Sequence, residues 1–357
     1  MRIIGIDPGT GSFDFFGMDS DKIIIDASLP VMDVAGNPMI LLDTIEALLP
    51  LHMIVGPSGY GLPPTPIQNV NERELNLMVP DDKSIPLYDG IRMVIRLMKE
   101  KGVPVYFTPG VIHLPTVPVY RKANKMDMGT ADKVCCVALA LSDQAEYYKI
   151  DYRETSFILV EAGYAFTAVM GIQDGMIVDG IGGTSGGPGF ISMGNLDAEL
   201  AMRLGNFPGA TIFSGGCKEI ANDENLTPEE MARKPEKYSA SLNMFIESIL
   251  KGVSSIMVSV PQPREIMLSG RLSRIPEIAQ ILTTRLSPFG HVRNVMRQAK
   301  IAKEAAEGAY IIGAGMAGDK YTGIYDCLKL GEARGTMYDY ILAKGVKHQV
   351  ISTILKP

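Results

Sequence analysis

The feature that most narrows the fold is a hairpin plan that occurs twice. Near the start, the apolar run Ile3-Ile4-Gly5-Ile6 ends in Asp7 and meets the tight turn Pro8-Gly9-Thr10-Gly11-Ser12. A return strand runs from Phe13 to Met18, and Asp19-Ser20-Asp21 turns the chain into a third run at 22–26. Residues 156–179 repeat the order. An apolar run ends in Glu161, Ala162-Gly163-Tyr164-Ala165 makes the turn, a return strand begins at Phe166, and Asp174-Gly175 leads into the third run. Two acid-ended strands, each opening its own three-stranded meander, predict a duplicated domain.

The same segment excludes a common nucleotide fold. A Rossmann or Walker loop hands its phosphate to a helix N-terminus, but Phe13-Asp14-Phe15-Phe16 alternates and is β-rich where that helix would begin. Between the meanders the pattern predicts a helix at 89–101, a strand at 103–107 and a long helix at 131–147. After the second meander come helices at 197–204, 239–258, 275–286 and 302–316, a strand at 265–268, and a polar stretch at 222–237. The stretch after Gly318 reads as mixed helix and turn. A chain of 357 residues is long for one domain. The expected division is into lobes at 1–150 and 151–357, in an α/β protein.

Composition removes several function classes. The formal charge of -6, with no block of like charge, argues against a surface that neutralises nucleic acid. No apolar run approaches the roughly 20 residues that span a bilayer. The start is too soon charged for a signal peptide, so the expected location is cytoplasmic. Cys135, Cys136, Cys217 and Cys327 lack zinc spacing, and the adjacent pair sits in an apolar helical stretch as expected core residues. His52, His113, His291 and His348 show no ligand spacing.

Three segments carry chemistry. In the first turn, glycines let backbone amides approach a polyphosphate, Thr10 and Ser12 offer hydroxyls, and Asp7 supplies an anion for hydrated magnesium. Glu161 and Gly163 form a plausible facing element. Ile181-Gly182-Gly183-Thr184-Ser185-Gly186-Gly187-Pro188-Gly189 holds more glycine than a chain reversal needs and could wrap an anion. The strand ending Met267-Leu268-Ser269-Gly270-Arg271 turns into a helix where Gly270 could lie flat beside an adenosine, and Gly308 and Gly313 could pack behind that pocket. Each segment also has a plain structural reading, as a hairpin corner, a glycine lid or tight helix packing.

The order of these segments, 4–12, 160–167 and 266–271 followed by a helix at 305–315, resembles the acetate and sugar kinase, heat-shock protein and actin superfamily over nearly the whole chain. In detail it looks most like an archaeal family described as predicted butyrate kinases. The resemblance implies two ribonuclease-H-like lobes of the actin-like ATPase fold closing on ATP and magnesium. Carried over by position, Asp7 holds the metal, and Gly9, Thr10, Gly11 and Ser12 touch the phosphates. Gly163 faces them from the other lobe and Gly270 lines the adenosine site; Tyr164, Gly182, Gly183, Thr184, Ser269, Arg271 and Gly313 are the further residues expected to bind ATP. The superfamily's second phosphate motif usually begins with aspartate, where this chain has Glu161. The segment from Gly129 to Lys133 loosely resembles the Gly-x-Asp-Arg segment of pantothenate kinases, with one extra residue. It makes Asp132 the base for an attacking hydroxyl, or else part of an N-terminal helix cap with Thr130. Arg121, Lys125 and Asp127 are the expected acceptor contacts.

The leading expectation is ATP-dependent phosphoryl transfer to a small acceptor, a short-chain carboxylate such as butyrate being the one the resemblance suggests, with Asp7, Asp132 and Glu161 catalytic. The alternative is an ATP-hydrolysing conformational activator or chaperone-like module controlling a partner protein. A third reading is a binding protein that kept the fold and lost its chemistry. Expected partners are ATP and the acceptor, with a homodimer left open.

Overall fold

The computed structural model of the chain describes residues 1–56 and 59–353. Two sheets carry the structure. The first contains β1 (Arg2–Pro8), β2 (Ser12–Asp19), β3 (Lys22–Pro30), β4 (Met53–Gly56), β5 (Gly61–Pro66) and β6 (Val105–Pro109), in the order β3-β2-β1-β4-β6-β5. The second contains β7 (Phe157–Ala162), β8 (Thr167–Gln173), β9 (Met176–Ile181), β10 (Glu265–Ser269) and β11 (Val292–Asn294), in the order β11-β10-β7-β8-β9.

The two sheets share one plan. In each, the first three strands form an antiparallel meander, and the strand that opens it then pairs in parallel with a later strand, β1 with β4 and β7 with β10. The meanders coincide with those expected from the sequence because alternating apolar runs bounded by Asp, Gly and Pro turns are a local signal. Strands β4, β5 and β11 are not anticipated. Four residues in β4 and three in β11 are too few to show a period, and β5 reads Gly-Leu-Pro-Pro-Thr-Pro, a composition tolerated only on the sheet edge it occupies.

Helices cover the sheets. Ser239–Met257 lies against β7, β8 and β9. Glu304–Met316, although late in the chain, packs on β1, β2 and β4 and along Ala131–Tyr148. Its approach depends on glycine. A Cβ at Gly5 would stand 2.2 Å from the Ala306 carbonyl oxygen, and one at Gly308 would stand 1.8 Å from that of Cys135. Small residues bring the helix backbone into contact with the strand that ends in Asp7, so this packing fixes what stands behind the acid. Cys135 and Cys136 are free and buried in that interface, and burial pushes both thiols up. Among the described residues, no helix is long and apolar enough to cross a membrane.

Gly308→Ala is expected to destabilise the protein by ~3 kcal/mol, because a rigid backbone carbonyl occupies the space the methyl needs. Urea denaturation measures it, and a loss no larger than that of an exposed-helix glycine change would contradict the packing.

Candidate functional site

The turns that follow β1 and β7 line one cavity of about 440 Å³. Asp7, Gly9, Thr10, Gly11 and Ser12 come from the first turn, and Glu161, Gly163 and Tyr164 from the second. Asp132, Lys133 and Lys303 join them from the starts of two helices.

These groups form two ion clusters. Asp7 lies directly opposite Asp14 in the β1–β2 ladder, an unfavourable pairing of like charges. Lys303 compensates, with its Nζ 2.8 Å from Asp14 Oδ2, and the Ser12 hydroxyl donates to the same oxygen at 2.8 Å. Burial works against the charge of Lys303, but Asp7 and Asp14 outweigh it and raise its proton affinity. Asp7 is less well served. Burial pushes its carboxyl up to about 7, with Lys303 opposing and Asp132 and Asp14 reinforcing the shift.

In the second cluster Lys133 pairs with Asp132 and stands 3.1 Å from Glu161 Oε2. Burial disfavours the Asp132 anion, yet Lys133 outweighs it and holds that carboxyl low. Thr130, the N-cap of Ala131–Tyr148, gives its hydroxyl hydrogen to Asp132 instead of accepting from a helix amide. Glu161 is raised by burial, and its Oε2 makes no hydrogen bond, since the Lys133 contact is an ion pair without hydrogen-bond geometry. Glycines give the longer acid its room: a Cβ at Gly163 would lie 3.0 Å from Glu161 Oε1, and one at Gly270 2.7 Å.

Lys303 is held by the chain before it. The Asp26 carboxylate, on β3, accepts hydrogen bonds from the backbone amides of Lys300 and Ala302 at 2.7 Å and of Ile301 at 3.1 Å. One carboxylate thus fixes three successive peptide units ahead of Lys303. Glu307 accepts from the amides of Gln298 and Ala299, tying down the preceding turn.

In the structure the glycine-rich segment meets the chain's own Asp127. Asp127 Oδ2 accepts from the Thr184 amide and hydroxyl, each at 3.1 Å, and Oδ1 accepts from the Gly129 amide at 2.9 Å. A Cβ at Gly182 would stand 1.8 Å from that carboxylate. Ser185 adds a hydroxyl bond to the Asp127 carbonyl at 2.7 Å. A second bridge, from the Ala210 amide to Ser84 Oγ at 3.0 Å, joins the same two parts of the chain elsewhere.

Thirteen of the expected site residues therefore line one cavity: Asp7, Gly9, Thr10, Gly11, Ser12, Asp127, Asp132, Glu161, Gly163, Tyr164, Gly183, Thr184 and Arg271. The others lie elsewhere. Arg121 donates to the Val178 carbonyl at 2.7 Å, and Lys125 is half-buried away from the lining. Gly182 sits under Asp127, and Ser269 is buried at the end of β10. Gly270, with φ +89°, packs on Ala162 and Glu161, while Gly313 packs on Ile3 and Val55. The sequence reading misses Lys303 and Asp14. A lone Asp inside an apolar strand was the available signal for Asp14, whereas nothing local distinguishes Lys303 from other lysines.

Two changes test this arrangement. Between about pH 4 and pH 7, an acid with a raised folded-state pKa holds more protons folded than unfolded, so the ligand-free protein loses stability as Asp7 ionises. Asp7→Asn should stabilise it at about pH 8 by at least ~1 kcal/mol, with the difference shrinking toward pH 4, as measured by denaturation at several pH values. Asp26 behaves oppositely: burial alone would raise it, but the three amides hold it low, so its contribution is present above about pH 4 and fades as pH falls. Asp26→Ala is expected to cost about 1–2 kcal/mol and to speed amide exchange at 300–302.

Comparison with known proteins agrees on the fold. The acetate kinase of Entamoeba histolytica superposes with a TM-score of 0.61 at 13% identity, covering 81% of this chain and 87% of its own. A propionate kinase from Francisella tularensis gives 0.62 at 14% identity over 85% and 98%, and the Porphyromonas gingivalis acetate kinase gives 0.59 at 12% over 89% and 99%. At such identities the likeness is one of architecture, the actin-like ATPase fold of two ribonuclease-H-like halves. No curated protein matches the sequence. Residues 5–343 match the family described as "Protein of unknown function (DUF1464)", and the chain belongs to that family.

Proposed function

We propose that this chain transfers the γ-phosphoryl group of ATP to a small acceptor. The observation that carries the reading is the convergence of two acid-ended glycine turns, from two sheets of one topology, on a cavity that also holds Lys133 and Lys303. In this reading 1–150 and 151–357 act as two lobes, with Glu304–Met316 crossing back onto the first sheet. Gly9 to Ser12 and Gly163 face the phosphates, and Arg271, lying over the Tyr164 ring at 4.7 Å, walls the nucleoside end. The acceptor oxygen bonds to the γ-phosphorus as the bond to the β,γ-bridging oxygen breaks, and the bonding pair leaves with ADP.

The residues present fit magnesium arriving with the nucleotide. Four carboxyls, Asp7, Asp14, Asp132 and Glu161, stand against two ammonium groups, an excess that a polyphosphate would worsen without a divalent cation. No group of three or more His, Cys, Asp or Glu side chains capable of holding a metal is gathered among the described residues, so Asp7 would hold the ion together with phosphate oxygens and water. When bound, the ion neutralises charge on the phosphoryl oxygens.

Relatives of the fold named as acetate and propionate kinases, and the resemblance to predicted butyrate kinases, support a short-chain carboxylate as one acceptor class. Hydroxyl compounds are the other. The second functional reading, an ATP-driven conformational module, draws on the Asp127 and Ser84 bridges, which would couple the nucleotide to the relation between the two parts.

Calorimetric titration with ATP and magnesium is the test. Binding is expected to require magnesium and to weaken about 100-fold or more in Asp7→Ala. Wild-type protein that binds no ATP sinks the reading, and turnover that no acceptor accelerates favours the conformational module.

A further inference from the structure

We infer that the acceptor end of the cavity is built for an uncharged hydroxyl compound with an apolar face, and not for a carboxylate. The inference rests on the phosphotransfer reading above and specifies its substrate class.

Beyond the two turns, the cavity wall is formed by Tyr60, Tyr88, Ile91, Phe166, Ile212 and Phe213. Phe166 and Phe213 meet edge to face at 5.2 Å, closing that side with ring surface. The phenol hydroxyls of Tyr60 and Tyr88 make no hydrogen bond among the described residues, so both are available to a ligand. Burial, and next to it the charges of Tyr88 and Asp127, raises Tyr60, and burial with Asp127 pushes Tyr88 up to about 12. Both stay protonated near neutrality and can donate to an oxygen.

Charge decides between the two acceptor classes. The cations lining the cavity are Lys133, Lys303 and Arg271, and each is engaged. Lys133 is shared by Asp132 and Glu161, Lys303 is held by Asp14, and Arg271 reaches Glu229 at 3.4 Å while lying over Tyr164. Arg121 is bound to the Val178 carbonyl outside the lining. Pro57 and Ser58, outside the described residues, carry no charge. An anionic acceptor would thus meet the fixed Asp127 carboxylate with no uncommitted cation among the described lining residues. A neutral hydroxyl compound meets two donors and an aromatic wall instead. In transfer, the acceptor's hydroxyl oxygen bonds to the γ-phosphorus, the β,γ-bridging oxygen departs with ADP, and the hydroxyl proton passes to the carboxylate of Glu161, a residue of the cavity lining.

The experiment offers the full-length protein ATP and magnesium with matched panels of alcohols, polyols and sugars on one side and short-chain carboxylates on the other. Phosphorus NMR follows the products, and hydroxylamine traps any acyl phosphate as a hydroxamate. The expected result is ADP release raised about tenfold or more by at least one hydroxyl compound, a hydroxylamine-resistant phosphate monoester, and no hydroxamate. Tyr60→Phe and Tyr88→Phe should each raise that compound's KM about tenfold, and an unchanged KM in both overturns the assignment of the phenols. Hydroxamate formed from any carboxylate overturns the inference while upholding phosphotransfer. Intact ATP binding with no stimulation by either panel also overturns it, whereas loss of ATP binding itself removes the reading beneath it.

Discussion

Asp7 and Asp14 face each other across two neighbouring strands, and the fold is arranged so that Lys303 stands against Asp14 and opposes the charge of both. Two buried like charges on one ladder would not persist unaided. The remedy comes from the far end of the chain, so the chain must return to the first sheet. It does so through a helix whose small residues let it touch β1 at Gly5, and through a loop whose amides are pinned by Asp26 on β3. Core packing and site chemistry are here one device. The glycines that admit the helix also determine where Lys303, the residue just before it, brings a positive charge.

The second sheet meets the same problem with a cation from the preceding part of the chain. Glu161 ends β7 as Asp7 ends β1, and Lys133 serves it from the first turn of Ala131–Tyr148. Both lysines sit at helix N-termini, where the macrodipole already carries partial positive charge and acids are the stabilising choice. Asp132 and Glu304 follow that preference in the same two helix starts, and the two lysines run against it in favour of the cavity. Such paired violations are expected where a site has to bind strong anions, because two helix starts and two ammonium groups then concentrate positive potential beside a surplus of carboxyls.

This also explains what the sequence could disclose. Both meanders are legible because alternation, acid ends and glycine turns lie within a few residues of one another, and eight of the thirteen expected residues that share the cavity come from those two turns. Lys303 is invisible in the sequence, since its role exists only once Glu304–Met316 has docked on β1. The glycine-rich segment shows the opposite difficulty. Its composition suggests a wrapped ligand anion, but composition cannot say which group the amides and hydroxyls meet, and in the structure Thr184 donates to Asp127. Gly313 has a similar history: a glycine that permits close approach is recognisable, while the partner it approaches, here Ile3 and Val55, depends on tertiary packing.

Glu161 gathers these threads. Relative to an aspartate, its extra methylene needs space at the end of β7, and two glycines from different segments provide it. Gly163 belongs to the turn, and Gly270, at φ +89°, ends the neighbouring strand β10. A Cβ at either position would press on the carboxylate or on the backbone beside it. The longer acid is thus accommodated by its surroundings, and its buried Oε2 stands 3.1 Å from Lys133 Nζ. A buried carboxylate oxygen held by an ion pair without a geometric hydrogen bond costs stability in the ligand-free protein. In the proposed transfer, this carboxylate is the group that would take the proton leaving an attacking hydroxyl.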